Sequence, residues 1–109
     1  MTLLKDMHCK PVAPGTGSVD SKQAAEFLKQ LPGWGLKQDH IEKTYSFKNY
    51  YETIAFVNAV AWIANKQDHH PDMQVGYNKC TVKYSTHSVG GLSENDFICA
   101  SRIESLGAV

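Results

Sequence analysis

Hydrophobic residues recur at helical spacing in three parts of the chain and alternate with polar residues in two others. The helical spacing predicts helices over residues 21–31, 48–67 and 93–106. Alternation with a period of two predicts two strands within residues 34–47 and two more within residues 73–87. The predicted order is therefore helix, two strands, helix, two strands, helix.

Short polar segments separate the two strands of each predicted pair. Gln38-Asp39-His40 lies in the first pair and Asn78-Lys79 in the second, and His40 is expected to be exposed at its turn. Strands joined by tight turns are antiparallel. The sequence therefore predicts an α+β fold: a four-stranded antiparallel sheet with helices packed on one face, in the order α-β-β-α-β-β-α.

The ends of the chain differ in composition from its centre. Residues 10–18 contain two prolines, two glycines and two hydroxyl residues, so residues 1–18 are predicted to form a flexible N-terminal arm. Residues 19–109 have the length of one compact domain. Asp20 is expected to cap the first helix of this domain.

The longest predicted helix, residues 48–67, is apolar on more than one face. Tyr50, Ile54, Val57 and Ala61 lie on one stripe at a spacing of three to four residues. The remaining faces also carry apolar side chains. Because a helix of this kind often packs against a neighbouring subunit as well as its own sheet, the pattern indicates a homo-oligomer.

Charge and cysteine content narrow the classes of function. Eleven basic and eleven acidic residues give a formal net charge of zero, which argues against nucleic-acid and membrane-surface binding. No apolar run reaches the length of a membrane span, and the N-terminus lacks the apolar core of a signal peptide. Cys9, Cys80 and Cys99 are scattered and odd in number, which predicts a reducing, cytoplasmic location.

Two adjacent histidines follow the longest helix in the segment KQDHHPDM. Pro71 disfavours helical geometry at His70, so the helix is expected to end near Asp68. His69 and His70 would then lie on a short turn that enters the third strand. Asp68 is close enough in sequence to orient one imidazole.

A third histidine, His87, follows the fourth strand. Since the third and fourth strands are hairpin neighbours, the start of one lies beside the end of the other. Residues 68–70 and 85–88 are therefore expected to converge at one end of the sheet.

This histidine cluster has three interpretations. Three histidines can hold a catalytic zinc ion, although adjacent residues in extended chain project to opposite sides. The histidines can also be structural, ending a helix and a strand. The third interpretation is metal-free acid–base chemistry, because imidazole titrates near pH 6.5 and both gives and takes protons. A reaction that loses water needs one proton delivered to the departing hydroxyl and another removed nearby.

Several motifs together resemble those of the pterin-4a-carbinolamine dehydratases. They occur in family order over roughly residues 20 to 106, and the set is specific although no single motif is. The matching segments are Leu31-Pro-Gly-Trp34, Tyr45-Ser-Phe-Lys48, Asp68-His-His-Pro71, Tyr77-Asn-Lys79, Ser85-Thr-His87 and Gly91-Leu-Ser-Glu-Asn-Asp96.

The resemblance implies both a reaction and an assembly. The substrate is 4a-hydroxytetrahydropterin, which an aromatic amino acid hydroxylase leaves after using tetrahydropterin and oxygen. Removal of water gives quinonoid dihydropterin, which is then reduced back to tetrahydropterin. Members of the family need no metal or organic cofactor, and they assemble as a homodimer or a dimer of dimers.

The resemblance also implies roles for residues of this chain. His69, His70 and His87 are the proton-transfer set. His70 and His87 are expected nearest the leaving hydroxyl and N5, with His69 positioning or sharing the proton. The implied substrate-binding residues are Asp68, Pro71, Ser85, Thr86 and Ser88.

The sequence also gives expectations for two further residues, Asn65 and Asp96, and leaves two alternative functions open. Asn65 stands where many members carry an acidic residue, which could lower activity. Asp96 belongs to the family pattern, but its spacing from Ser93 predicts a structural role in capping the last helix. The alternative functions are a dimerisation partner of a transcription regulator and a pterin-binding protein of another pathway.

Overall fold

The computed structural model describes residues 3–13 and 15–107, and its helices and strands occur in the predicted order. These residues form α1 (Ser21–Leu28), β1 (Gly35–Leu36), β2 (Ile41–Ser46), α2 (Tyr50–Gln67), β3 (Asp72–Val75), β4 (Lys79–Tyr84) and α3 (Glu94–Glu104). Short 3₁₀ turns occur at Leu4–Asp6 and His87–Val89. α1 ends before the predicted residue 31, because the chain bends there and directs Leu31 into the core.

The four strands form one antiparallel sheet in the order β1-β2-β4-β3, which confirms the predicted α+β fold with helices packed on the sheet. Both predicted hairpins are present. The pairing of β2 with β4, from Ile41 opposite Tyr84 to Ser46 opposite Lys79, joins them. Tyr84 is fully buried beneath the helices, whereas the Thr44 and Thr81 hydroxyls meet at 2.8 Å on the other face.

The packing face of α2 coincides only in part with the stripe at helical spacing, since Ile54 and Val57 are half-buried. Phe56, Val60 and Ile63 are buried against the sheet and α3, while Tyr50 is 52% exposed and Ala61 is also exposed. The spacing did not indicate which face would pack on the core, because α2 is apolar or small around most of its circumference. Spacing along such a helix does not select which face the rest of the chain covers.

The N-terminal residues lie against α3 and the end of α2. Leu4 is fully buried, and the backbone N–H of Cys9 donates to Gln67 Oε1 at 2.8 Å. The Arg102 guanidinium donates to the carbonyl oxygen of Met7. That residues 1–18 form a flexible arm and residues 19–109 one domain stays a prediction, and residues 1, 2, 14, 108 and 109 lie outside the described residues. No described helix has both the length and the apolar character of a membrane span.

Candidate active site

The turn that carries the adjacent histidines begins at Asp68, which ends α2 as predicted. Asp68 adopts a left-handed conformation with φ of 53°, a region that aspartate tolerates better than most side chains. The backbone N–H of His69 donates to the carbonyl oxygen of Ala64 at 3.1 Å and closes the last helical turn. His69 and His70 therefore lie between α2 and β3.

Asp96, at the start of α3, is the acceptor of a buried hydrogen-bond network. Its carboxylate is fully buried, and Oδ1 accepts from His69 Nε2 at 2.5 Å. Oδ2 accepts from Thr86 Oγ1 at 2.8 Å and from the backbone N–H of Ser93 at 2.9 Å. The predicted capping role of Asp96 is confirmed. The same carboxylate also holds His69 and Thr86, two of the predicted site residues.

The His69 ring is held on two sides. It stacks on Tyr84 with ring centroids 5.3 Å apart and an interplanar angle of 19°, and its side chain is 15% exposed. Burial disfavours the charged ring, but the hydrogen bond and negative charge of Asp96 outweigh it, so the pKa of His69 is raised. Nε2 donates to Asp96, whereas Nδ1 has no hydrogen-bond partner among the described residues. The ring is therefore oriented, biased toward the protonated form, and open at one nitrogen.

The raised pKa of His69 gives a prediction for stability against pH. A histidine whose folded pKa is above its unfolded value of about 6.5 stabilises the fold below that value and loses the effect as pH rises through the folded pKa. We therefore expect the free energy of unfolding to fall as pH increases from about 6 to 8. Urea denaturation should show a shallower fall in His69→Gln than in the wild-type chain.

His40 contributes to the same trend and serves as an internal check. It was expected to be exposed, but its side chain is only 24% exposed because it bonds to Asp39 at 3.0 Å and Glu42 at 2.8 Å. These hydrogen bonds raise the pKa of His40. The double variant His40→Gln/His69→Gln should show the shallowest pH dependence. A slope equal to that of the wild-type chain would contradict both assignments.

A cavity of about 280 Å³ lies beside the His69–Asp96 pair. Four predicted site residues line it: Asp68, His69, Thr86 and Ser88. The remaining wall comes from Gln67, Asn95 and the N-terminal residues 9–12. The hairpin register, with Asp72 opposite Lys83, brings these two ends of chain together as expected.

The other predicted residues are arranged less uniformly. Ser85 and His87 line an adjoining cavity of about 230 Å³, which shares Thr86 with the first. His70 is exposed and Pro71 half-buried, and neither belongs to the lining of either cavity. Within residues 3–13 and 15–107, no hydrogen bond joins the three imidazoles to one another, and no group of three His, Cys, Asp or Glu side chains is arranged to hold a metal ion.

A larger cavity, of about 720 Å³, lies away from the histidines, between β2, α2 and the end of α3. Its central carboxylate, Glu104, accepts from Lys43 Nζ at 2.8 Å and also from the Tyr45 hydroxyl. Burial would raise the pKa of Glu104, but these hydrogen bonds outweigh it and the pKa is lowered. Because Glu104 is already paired with Lys43 and Tyr45 and no described histidine lines this cavity, it offers less acid–base chemistry than the one beside His69.

Two contributions to the site are missing from the sequence-based set. The link from Asp96 to His69 spans 27 positions, and only the capping position of Asp96 marked it as structurally important. Nothing in the sequence around Cys9 indicated that residues 9–12 would line a site, because prolines and glycines make residues 10–18 look like a flexible segment.

Comparison with known proteins identifies the family. A model of the family described as pterin 4 alpha carbinolamine dehydratase matches residues 17–106. The chain belongs to this family. A relative in Nitrosomonas eutropha, provisionally named as a pterin-4-alpha-carbinolamine dehydratase, is 56% identical over 104 residues, covering 94% of this chain and 92% of the relative. A relative in Nitrosomonas europaea with the same provisional name is 54% identical over 104 residues, with the same coverage.

A solved structure is also similar. The transcriptional coactivator/pterin dehydratase from Brucella melitensis is 28% identical, with a TM-score of 0.80, over 84% of this chain and all of that one. The family match includes every predicted site residue from Asp68 to Ser88. The resemblance of the sequence motifs to the pterin-4a-carbinolamine dehydratases is thereby confirmed.

Proposed function

We propose that this chain dehydrates 4a-hydroxytetrahydropterin to quinonoid dihydropterin. One structural observation supports this most strongly: an imidazole oriented by a buried carboxylate faces a small cavity at the end of the sheet. The cavity beside His69, of about 280 Å³, is close to the lower end of the range for small-molecule sites, roughly 300–1,000 Å³. Membership of the dehydratase family supports the same reaction.

The reaction requires two proton transfers and no redox change. An imidazolium donates a proton to the 4a-hydroxyl, so that the C4a–O bond breaks and water leaves. An imidazole takes the proton from N5, and the electron pair of that bond forms the C4a–N5 double bond. We assign these transfers to His70 and His87, which are both exposed at the end of the sheet, and His87 lines the second cavity. His69, tied to Asp96, positions the site and shares the proton.

The remaining site residues have roles in binding. Asp68 and Ser88 line the first cavity, Ser85 lines the second, and Pro71 fixes the turn that carries His70. Thr86 lies between the two cavities, but its hydroxyl already bonds to Asp96, so it shapes the wall more than it donates to a ligand. No metal or organic cofactor is required in this proposal.

The product defines a place in metabolism. Quinonoid dihydropterin must be reduced before it can serve again, so the proposal places this chain in tetrahydropterin recycling beside an aromatic amino acid hydroxylase. The predicted cytoplasmic location agrees with three cysteines that are all free thiols. Asn65 is exposed at the end of α2, and the site then lacks the acidic residue common at this position.

Turnover and binding test the function directly. Added protein should accelerate the absorbance change of carbinolamine dehydration by about 100-fold or more over the spontaneous rate. A stable dihydropterin analogue should shift the ring NMR signals of His69, His70 and His87, with His8 and His40 as internal controls. A rate equal to that of the spontaneous reaction, with no shift at the three site histidines, would refute the proposal.

The outer face of α2 supports self-association. Tyr51 is 88% exposed and Trp62 is 65% exposed, and both lie with Ala55 and Asn58 on the side opposite the core. An aromatic stripe of this kind is unfavourable in water. We therefore propose that it packs against a second copy of the chain, giving a homodimer or homotetramer.

Disruption of this face should reduce the size of the assembly. Trp62→Glu places a charge where the second copy would pack, so light scattering after size exclusion should give a lower mass than for the wild-type chain. Leu106→Glu, which changes an exposed apolar side chain beyond α3, is the control and should leave the mass unchanged. Equal masses for Trp62→Glu and the wild-type chain would contradict the assignment.

A second candidate function uses the same face. The Brucella melitensis structure is named both a transcriptional coactivator and a pterin dehydratase. Here the exposed aromatic face of α2 would bind a transcription regulator as a dimerisation partner. A stable protein partner that is lost in Trp62→Glu, together with no carbinolamine turnover, would favour this function over dehydration.

A further inference from the structure

Two cysteines from distant parts of the chain meet beside the candidate site. The sulfur atoms of Cys9 and Cys99 lie 3.4 Å apart, although 90 positions separate them in the sequence. Cys9 belongs to the N-terminal segment and is half-buried, whereas Cys99 lies on α3 and is fully buried. The third cysteine, Cys80, is buried on β4 and contacts neither of them.

Hydrogen bonds on both sides of Cys9 hold its sulfur in this position. The backbone N–H of Cys9 donates to Gln67 Oε1 at 2.8 Å. The next residue, Lys10, donates its N–H to Asn95 Oδ1 at 3.1 Å and accepts from Asn95 Nδ2 at 2.7 Å through its carbonyl oxygen. The segment is therefore tied to α2 and α3 within one residue of the sulfur.

The two thiols differ in acidity in a way that suits redox chemistry. The hydrogen bond from the Cys99 thiol lowers the pKa of Cys9, and the positive charges of His69 and Arg102 act in the same direction against the effect of burial. The same hydrogen bond and burial raise the pKa of Cys99. Cys9 is thus the better nucleophile, and Cys99 is a neutral thiol placed to react second.

A small oxidant can reach the more reactive sulfur. Cys9 lines the 280 Å³ cavity that also contains His69 and Ser88. Cys99 is fully buried and does not line this cavity. Both the geometry and the access therefore select Cys9 as the first site of attack.

We propose that Cys9 and Cys99 form a redox-sensitive dithiol that a hydroperoxide closes to an intramolecular disulfide. In the first step the Cys9 thiolate attacks a peroxide oxygen; the O–O bond breaks and leaves a sulfenic acid and hydroxide. In the second, the Cys99 sulfur attacks the Cys9 sulfur, the S–S bond forms and the S–O bond breaks. The thiols lose two electrons and two protons, and hydrogen peroxide becomes two molecules of water.

The disulfide changes the candidate site in two ways. It ties residues 9–12, one wall of the cavity, covalently to α3. It also removes the ionisable Cys9 thiol, whose charge when ionised is among those that raise the pKa of His69. A dithiol reductant restores both features. The dithiol site does not depend on the proposed dehydration.

Mass spectrometry tests the disulfide without any activity assay. The reduced full-length chain is treated with hydrogen peroxide, unfolded and alkylated. We expect a loss of two hydrogen atoms, one alkylated cysteine per chain, and a peptide cross-link between Cys9 and Cys99 that dithiothreitol removes. Cys80→Ser should still form the link, and Cys9→Ser should not.

A trapping variant distinguishes the order of the steps. In Cys99→Ser the second thiol is absent, so a sulfenic acid should persist on Cys9 and react with dimedone. Circular dichroism checks that the core variant Cys99→Ser folds. If it does not fold, the proposal is tested instead by the loss of the cross-link in Cys9→Ser, whose change lies in the N-terminal segment. Alkylation of all three cysteines after peroxide, a link through Cys80, or disulfides only between chains would overturn the proposal.

Discussion

Replacement of either exposed site histidine, in His70→Ala or His87→Ala, is expected to lower kcat for carbinolamine dehydration by about 100-fold or more. In the proposed mechanism each variant removes a group that donates a proton to the 4a-hydroxyl or takes one from N5. KM should change less than kcat, since the lost interaction is a proton transfer rather than a binding contact. Steady-state absorbance kinetics on the purified variants measure both constants.

The other histidines of the chain provide matched controls. His8 lies in the N-terminal segment, and His40 lies in the β1–β2 turn with Asp39 and Glu42 as partners. His8→Ala and His40→Ala should retain wild-type kcat. Because His70 and His87 are exposed, their variants should keep the wild-type free energy of unfolding within about 0.5 kcal/mol. Unchanged turnover in both His70→Ala and His87→Ala would end the catalytic assignment.

Replacement of Asp96 is expected to have the largest effect on stability. Asp96→Ala removes the hydrogen-bond acceptor of His69, Thr86 and the Ser93 N–H at once. Thr86 and Ser93 are buried, and His69 is largely so. Loss of a buried charged partner costs about 3–5 kcal/mol. Urea denaturation should show this decrease in the free energy of unfolding, and NMR titration should show a lower pKa for His69.

Two further substitutions separate the effects of charge and capping. Asp20 also caps a helix, by accepting from the Gln23 N–H at 2.8 Å, but it is exposed. Asp20→Ala should therefore cost only about 1 kcal/mol. Asp96→Asn retains the shape of the side chain and loses its charge. Its loss in the free energy of unfolding should therefore lie between the losses for Asp20→Ala and Asp96→Ala. A cost for Asp96→Ala no larger than that for Asp20→Ala would show that the buried network contributes nothing.

Local patterns predicted the elements of the fold well. The two hairpins, the end of α2 at Asp68 and the capping of α3 by Ser93 and Asp96 all follow from residues close together in sequence. The face of α2 could not be predicted in this way. Large apolar or aromatic side chains lie on both its buried and its exposed sides, including Tyr51 and Trp62, and only the position of the sheet decides which side is covered.

The candidate site, too, could be predicted from the sequence only in part. The hairpin pairing of β3 with β4 explains why Asp68, His69, Thr86 and Ser88 share a cavity, and that pairing, though not its register, was readable from the alternation of the two strands. The contact of Asp96 with His69, the stacking of Tyr84 on the same ring, and the approach of Cys9 were not readable. Each joins segments whose spacing in the sequence carries no periodic signal.

By itself, the sequence determined the type and order of the helices and strands, the two hairpins, and that the segments around His69 and Thr86 meet at one end of the sheet. These features depend on interactions between neighbours along the chain, which periodicity and turn residues record. The tertiary structure alone decided that β2 pairs with β4, which face of α2 is buried, that a carboxylate on α3 bonds to His69, and that Cys9 lines the same cavity as His69. Those contacts arise from packing between distant segments, and packing depends on the shape of the whole core.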